Sequence, residues 1–182
     1  MNVLITPRLT MRPPALPDAE DIAFWLSDWN VARMLAPVPH PYRVADAEAW
    51  IDAVAADPAR MVYTIHRERL IGVVSLEGDP ATPQLGYWLA SPWHGRGYMT
   101  EAAHALLCHA FATRGLGAVA SSVFVDNPAS LAVQRKLGFT PAGKAEIFSR
   151  SRGATVEAWT TRLTAASFAA AGCTCAETRS AA

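Results

Sequence analysis

The chain has 182 residues, of which 51% are hydrophobic and 18% are charged, with 16 basic and 16 acidic side chains. This length accommodates one domain with a sizeable core, and the hydrophobic fraction argues against a disordered chain. The zero net charge argues against a general nucleic-acid or membrane-surface binder, because both need a basic excess. We therefore expect no nucleic-acid partner and no membrane partner.

The N-terminal segment and the cysteines bear on location. Arg8 and several prolines stand where a secretory signal would have its apolar stretch. No apolar run approaches the ~18 residues that span a bilayer. The three cysteines are Cys108, Cys173 and Cys175, and an odd number with two in a small-residue tail does not indicate a disulfide framework. The sequence predicts a cytoplasmic protein.

Hydrophobic patterning predicts strands and helices in the order β-α-α-β-β-β-α-β-α-β-β. This order indicates one α+β domain over residues 1–163, built on a mixed sheet with helices on both faces. Residues 164–182 are predicted to be a tail that is frayed or partly helical. The predicted elements are a strand at 6–12, a helix after Asp18, a helix at 44–56, a hairpin of 61–66 with 70–76, a strand at 85–89, a helix reaching Arg114, a strand at 118–125, a short helix after Asn127, and strands at 139–148 and 155–163.

The segment from Leu85 to Glu101 carries the chemical information. A strand feeds a loop with two glycines, and the loop opens a helix whose first N–H groups lack partners. Glycines let such a backbone approach an anion closely, which predicts a phosphate cradle. The alternative is an ordinary turn in which Gly95 and Gly97 only satisfy backbone geometry. The dinucleotide fingerprint fails because Thr100 stands at its third glycine, and a P-loop is absent.

Three segments resemble, in the expected order, the motifs of the GNAT N-acetyltransferase superfamily. The run LGYWLASPWHGRGYMTEA, residues 85–102, is similar to its acetyl-CoA motif. Residues 127–130 and 136–139 resemble its second cofactor motif, and residues 6–13 resemble the start of the branch that acetylates ribosomal-protein N-termini. The resemblance covers roughly residues 6 to 163. It implies a mixed, mostly antiparallel sheet flanked by helices, with a splayed cleft for acyl-CoA.

The resemblance implies acetyl-CoA as co-substrate and no metal. It assigns the pyrophosphate to backbone N–H groups of residues 95–100. It also pairs the pantetheine arm, as an added strand, with the backbone of residues 88–90 and places Asn127 beside that arm. The family pattern Gln/Arg-x-x-Gly-x-Gly/Ala falls on His94, Gly97 and Met99, and His94 and Met99 depart from it. The cofactor-binding residues implied in this way are Trp88, Leu89, Ala90, His94, Gly95, Arg96, Gly97, Tyr98, Met99, Thr100, Asn127 and Ser130.

Acetyl transfer to an amine needs an oxyanion-hole donor and an acid for the departing thiolate. The family-implied oxyanion donor is the backbone N–H of Leu89. In many members a tyrosine at the position of Gln134 acts as the general acid. A glutamine cannot give a proton to the thiolate. Ser130 holds a position where this branch commonly has serine, so we nominate its hydroxyl as the acid. The alternative is a helix-start serine that bonds locally.

The base that accepts the amine proton has several candidates. Glu77 ends the strand before the motif strand and could face the cleft, whereas a solvated loop carboxylate is the alternative. Glu101 sits in the first helical turn, where an acidic group suits the helix dipole. His40, Asp126 and Tyr87 are further candidates.

These features predict an acetyl-CoA-dependent N-acetyltransferase that acts on a primary amine by direct attack in a ternary complex. The acceptor is a protein N-terminus, an amino acid or another small amine. The departures at His94, Met99 and Gln134 keep open a non-catalytic acyl-CoA-binding sensor or scaffold. A nucleotide-binding domain of another class lacks its fingerprints. Either a monomer or a homodimer is compatible with the sequence.

Overall fold

The structure is a computed structural model that describes residues 3–173, 175 and 180–181. Six helices lie in this part of the chain: α1 Ala19–Leu26, α2 Trp29–Ala32, α3 Val44–Ala55, α4 Tyr98–Arg114, α5 Pro128–Lys136 and α6 Ala165–Ala170. The same residues form nine strands: β1 Val3–Ile5, β2 Thr10–Arg12, β3 Met61–His66, β4 Leu70–Glu77, β5 Gln84–Leu89, β6 Ala118–Phe124, β7 Thr140–Ser149, β8 Ala154–Thr164 and β9 Ser180–Ala181.

The strands form one mixed sheet in the order β7-β8-β6-β5-β4-β3-β2-β1-β9. Every neighbouring pair is antiparallel except β5 and β6, which run parallel. The predicted mixed, mostly antiparallel sheet is therefore confirmed. β5 and β6 pair only at Gln84 and Ala120, near the start of both strands. Beyond that pair the backbones of the two strands are no longer paired, which opens a cleft in the middle of the sheet.

Helices cover both faces of the sheet. β4 is buried along nearly its whole length, so its residues read as a continuous apolar run rather than an alternation. Val74 packs in the core cluster with α4, whereas Val73 packs with residues of α3 on the opposite face. The two faces of the central strands thus hold separate cores. Within the described residues we find no helix long and apolar enough to cross a membrane.

Two local predictions were wrong. The strand predicted at 6–12 is interrupted by a turn in which the Thr6 N–H donates to the Leu9 carbonyl at 2.9 Å, with β1 and β2 on either side. Pro7 favours the turn because it cannot donate a strand hydrogen bond. The sequence also failed to predict α2. This helix begins after Asp28, and the Asp28 carboxylate accepts from the Asn30 N–H at 2.9 Å. Four residues are too few to show helical periodicity.

The tail changes the interpretation of the cysteines. Cys108 in α4 forms a disulfide with Cys175, 67 residues away, and Cys173 is free. The prediction of unpaired cysteines was therefore wrong for two of the three. The pairing depends on the chain after α6 returning to α4, and cysteine spacing cannot show this. Within the tail the structure describes one helix, α6. Residues 174, 176–179 and 182 lie outside the described residues.

Gly72 in β4 is expected to tolerate no side chain. A Cβ at this position would collide with the Trp88 carbonyl oxygen and lie 3.0 Å from Leu89 Cδ1. We expect Gly72→Ala to lower the free energy of unfolding by about 1–3 kcal/mol, as overpacking does. Urea denaturation measures the change. Gly117→Ala is the matched control, because a Cβ there meets nothing within 4 Å, and equal midpoints for the two variants would contradict the close approach of β4 to β5.

Candidate active site

A cavity of about 1000 Å³ occupies the cleft between β5 and β6. It reaches from the start of α4 on one side of the sheet to the loop after α2 on the other. Most predicted site residues contribute to its wall, whereas Ala90 and Arg96 do not. The predicted residues that line it are Glu77, Trp88, Leu89, His94, Gly95, Gly97, Tyr98, Met99, Thr100, Asn127 and Ser130.

A glycine loop at the start of α4 forms one end of the cavity. Gly95 and Gly97 have φ values of 73° and 78°, in the left-handed region that favours glycine. A Cβ at Gly95 would meet nothing within 4 Å, so its surroundings are open. Among the described residues, the N–H groups of 95–97 make no hydrogen bond, and those of 98–100 are first-turn amides without intrahelical partners. This arrangement fits a diphosphate at the positive end of a 17-residue helix.

The edge of β5 presents backbone groups to the cleft in a fixed alternation. The Ala90 N–H donates to the Ile71 carbonyl at 2.9 Å, which places the pairing groups of Ala90 and Trp88 toward β4. The N–H groups of Tyr87 and Leu89 therefore face β6. Of the predicted pantetheine-pairing residues 88–90, only Leu89 directs its N–H and C=O into the cleft.

His94 replaces the Gln or Arg of the family pattern, and its side chain contacts β5. The Nε2–H donates to the Leu89 carbonyl at 2.6 Å. A carbonyl only accepts, so this bond assigns the proton to Nε2. The imidazole thus forms a hydrogen bond with the last cleft-facing carbonyl of β5 and connects the glycine loop to the strand. Met99, the other departure, lies in the first turn of α4 and packs in the core cluster.

Ser130 lies at the start of α5 beside a phenol. Its Oγ is 2.8 Å from the Tyr87 hydroxyl, which also donates to the Ser130 carbonyl at 3.1 Å. The Asn127 side chain caps α5 by accepting from the Ser130 N–H at 3.1 Å. Burial raises the pKa of Tyr87 to about 12, against smaller lowering effects of its hydrogen bonds to Ser130 and Gln134. The phenol is therefore protonated at neutral pH, and two hydroxyls share this wall of the cavity.

Gln134, at the position for which the resemblance implies a tyrosine in many members, is 1% exposed. Its amide donates to Ser121 Oγ at 2.9 Å and accepts from Thr161 Oγ1 at 2.7 Å. Ser121 Oγ in turn donates to the Leu85 carbonyl at 2.8 Å. Gln134 thus joins α5 to β5, β6 and β8 in a satisfied buried network, which explains its side chain without a proton-transfer role.

Glu77 lines the cavity at the end of β4, where it pairs with Arg60 at 3.3 Å. The other candidate bases are engaged elsewhere. Arg152 and Arg33 bond to Asp126, and although burial opposes them, these bonds hold its pKa below the usual value. His40 is exposed and packs edge-on against Trp29, outside the cavity lining. Among the candidates from the sequence, Glu77 is therefore the carboxylate that lines the cavity.

Glu101 anchors the N-terminal turn to the glycine loop. It accepts from the Thr6 hydroxyl at 2.6 Å, from the Arg8 N–H at 3.0 Å and from Arg8 Nε at 2.6 Å. Arg8 Nη1 also donates to the Arg96 carbonyl at 3.0 Å. Burial acts to raise the pKa of Glu101, but the hydrogen bonds outweigh it and the pKa lies below its usual value. The Thr-Pro-Arg motif at residues 6–8 therefore supports the loop.

Glu101→Gln is expected to lower the free energy of unfolding by about 1–2 kcal/mol at pH 7, because hydrogen bonds to a charged acceptor are lost. The pKa of Glu101 is depressed on folding, so its contribution is complete above the unfolded value of about 4.3 and is lost as the pH falls through the folded value. Urea denaturation at neutral and acidic pH measures this. The exposed Glu48→Gln is the control, and a Glu101→Gln deficit that stays constant down to pH ~2 would contradict the assignment.

Several contacts at this site have no local sequence signal. Thr6 and Glu101 are 95 residues apart, and Tyr87 and Ser130 are 43 apart. Arg152, which we did not single out from the sequence, bonds to the Arg33 carbonyl 119 residues away. Each of these residue types is common on protein surfaces, so only their proximity reveals the contacts.

A mixed sheet that opens at its parallel pair into a cleft, with a glycine loop at the adjoining helix start, defines the fold class of the acyl-CoA-binding acetyltransferases. A profile of the Acetyltransferase (GNAT) domain matches residues 8–140. The chain belongs to this family, which confirms the predicted resemblance.

Individual relatives agree with this assignment. The ribosomal-protein-serine acetyltransferase of Escherichia coli (strain K12) is 33% identical over 88 residues, which are 47% of this chain and 49% of that protein. The chain therefore spans about half the length of that relative. An uncharacterized N-acetyltransferase of Bacillus licheniformis, p20, is 22% identical over 167 residues, 87% of this chain and 94% of that protein.

Solved structures share the fold. The microcin C7 self-immunity acetyltransferase MccE, in complex with acetyl-CoA and AMP, superposes with a TM-score of 0.75. Its sequence identity is 22%, and the match covers 87% of this chain and 93% of that one. At this identity the likeness shows a common fold.

Proposed function

We propose that the protein is an acetyl-CoA-dependent N-acetyltransferase that transfers an acetyl group to a primary amine. The observation that carries the proposal is the continuous path formed by the open edge of β5 and the glycine loop at the start of α4. This path offers backbone amides first to an extended pantetheine arm and then to a diphosphate. Acetyl-CoA, when bound, supplies the thioester carbonyl that an amine attacks.

The oxyanion donor is better placed at Tyr87 than at Leu89. Glu77 pairs with Gln84, five residues before Leu89 and three before Tyr87. At ~3.3 Å per residue, the position of Gln84, and so of Glu77 beside it, lies about 16 Å along β5 from Leu89 but only about 10 Å from Tyr87. The base and the oxyanion donor must serve one reacting carbonyl. We therefore assign the Tyr87 N–H to the developing oxyanion and the Leu89 N–H to the pantetheine arm.

Ser130 is the proposed acid. Its hydroxyl would give its proton to the departing thiolate. The Tyr87 hydroxyl, 2.8 Å away and protonated at neutral pH, can pass a proton to Ser130 and recover one from solvent in the cavity, which returns both hydroxyls to their starting state. The helix cap at Asn127 holds the Ser130 backbone in place. The bond to Tyr87 thus gives Ser130 a partner beyond its own helix.

Glu77 is the proposed base, acting through water on the attacking amine. An α-amine has a pKa of ~7.7–8.0, so a substantial fraction is neutral near pH 7, whereas lysine at ~10.4 needs stronger assistance. Glu77 also pairs with Arg60 at 3.3 Å, and an ion pair of this kind makes a carboxylate a weaker base. The pairing suits an acceptor such as an α-amine, of which roughly a tenth is already neutral at pH 7.

We propose a protein N-terminus as the acceptor, with an amino acid or another small amine as the alternative. The name of the E. coli relative supports a ribosomal-protein substrate. We also propose a cytoplasmic location on that likeness. The Cys108–Cys175 disulfide weighs against it, because disulfides persist mainly in oxidising compartments. Alkylation of free thiols in fresh lysate tests the location, and an oxidised pair in the cell would overturn it.

The activity is tested by CoA-thiol release from acetyl-CoA over a panel of peptides and small amines, with mass measurement of the product. Calorimetric titration with CoA is run beside it. Acetylated peptide N-termini would support the full proposal. CoA binding without product on any amine would instead indicate a non-catalytic acyl-CoA module, and an absence of CoA binding would overturn both.

A further inference from the structure

Arg152 lies in the turn between β7 and β8, at the acceptor side of the cavity. Its side chain is only 17% exposed, although a turn arginine normally extends into water. Nε donates to the Arg33 carbonyl at 2.7 Å, and the Nη atoms contact Asp126 at 3.0 and 3.1 Å. The guanidinium also lies over the Phe124 ring, 4.9 Å from its centroid. With a further bond from Nη2 to Met34 Sδ at 3.4 Å, four of the five guanidinium N–H donors have a partner within the protein.

These contacts join three separate segments. Arg33 follows α2, Asp126 follows β6, and Arg152 belongs to the hairpin of β7 and β8. Arg33 completes the arrangement by donating to the same Asp126 carboxylate at 3.1 Å. Neighbouring residues add weaker links, since the Arg150 N–H donates to the Ala36 carbonyl at 3.0 Å and Ser151 Oγ donates to the Ala32 carbonyl at 3.1 Å.

The joined segments each contribute part of the cavity wall. Met34 and Ala36 line it from the loop after α2, and Ala145 and Ile147 line it from β7. Asp126 directly precedes Asn127, the residue that caps α5 beside the proposed acid. A connection between these walls therefore limits how far they can separate, at the side of the sheet opposite the glycine loop.

We propose that Arg152 is a positioning residue that sets the width of the opening through which the amine reaches the acetyl group. The role rests on the proposed acetyl transfer. Because Arg152 bonds to the Asp126 carboxylate and to the Arg33 carbonyl from outside the cavity lining, it holds these wall segments together without touching the reacting atoms. A narrow opening admits a slender primary amine and excludes branched ones, so acceptor choice depends on this guanidinium.

The test compares Arg152→Ala with the wild-type chain on amides of glycine, leucine and phenylalanine. We expect KM for the acceptor to rise about tenfold, the preference to shift toward the bulkier amides, and KM for acetyl-CoA to stay within about twofold. Arg152→Lys keeps the positive charge and a single donor group but loses the paired geometry of the guanidinium. Its KM for the acceptor should therefore lie between those of the wild-type chain and Arg152→Ala. Exposed Arg43→Ala, at the start of α3, is the matched control.

Hydrogen exchange separates this proposal from the proposed function. Exchange of amides in residues 30–37 and 150–152 is expected to quicken about tenfold in Arg152→Ala. Unchanged exchange there, or an equal fall in all rates for all amides, would overturn the positioning role. Faster exchange in a protein that acetylates no amine would overturn the proposed function instead. If Arg152→Ala does not fold, the same comparisons with Arg152→Lys decide the matter.

Discussion

Gly97→Asp is expected to raise the Kd for CoA by about 100-fold or more. Gly97 is the N-cap of α4, and its φ of 78° directs the following amides into the cavity. A Cβ at Gly97 would lie 3.4 Å from Arg8 Nη2, so the new carboxylate would also compete for that guanidinium. If the carboxylate comes within about 4 Å of a bound diphosphate charge, the repulsion costs about 4 kcal/mol at an effective dielectric of 20, and each 1.4 kcal/mol is a tenfold change. Calorimetric titration with CoA measures the effect directly.

Two variants separate charge from backbone strain in this experiment. Gly97→Asn has nearly the same shape without the charge and tolerates the left-handed conformation, so its Kd should rise much less. Gly115→Asp places the same residue at the opposite end of α4, where φ is 58°, outside the cavity lining. It should leave CoA affinity unchanged. Equal affinities of Gly97→Asp and wild type would remove the glycine loop from the CoA site.

Ser130→Ala is expected to lower kcat about 100-fold, the lower end of what a positioned general acid or base contributes. The Asn127 cap bonds to the Ser130 backbone and persists, so α5 should be unaffected, and CoA affinity should fall less than kcat does. Steady-state kinetics with a peptide acceptor measures kcat, and titration measures the Kd for CoA. An equal loss in kcat and affinity would assign Ser130 a structural role instead.

Ser130→Cys and Tyr87→Phe refine the assignment of the acid. The thiol of cysteine still carries a transferable proton, so Ser130→Cys should recover part of the activity that alanine loses. Tyr87→Phe removes the hydroxyl 2.8 Å from Ser130 Oγ while keeping the ring and the backbone N–H. It should reduce kcat less than Ser130→Ala does. A larger loss in Tyr87→Phe would make the phenol itself the proton donor.

Element types were predictable from the sequence wherever the signal is local. The α5 boundaries follow from Asn127, Pro128 and Gly138, which act as cap, first helical residue and stop within one short segment. β4 and β5 follow from apolar runs bounded by turns. The turn at residues 6–9 and the four-residue α2 were missed, because one interrupts an alternating pattern and the other is shorter than a helical repeat.

Side-chain roles were less predictable than elements. Glu101 was judged from its place in the first helical turn, but its three bonds come from Thr6 and Arg8 in another part of the chain. Gln134 was judged as a missing tyrosine, whereas burial makes it the centre of a hydrogen-bond network. In both cases the residue type was visible, but its partner depended on packing.

The sequence by itself predicted the left-handed glycines and unpaired helix amides of the loop at Gly95 and Gly97, because both are local properties. It also determined a neutral, one-domain composition that needs no basic excess to hold CoA, since backbone amides are expected to bind the diphosphate. Only the tertiary structure decided which β5 amides face the cleft, since this alternation depends on the register with β4. It likewise decided the connection through Arg152, because the joined segments are distant in sequence and meet only through the fold.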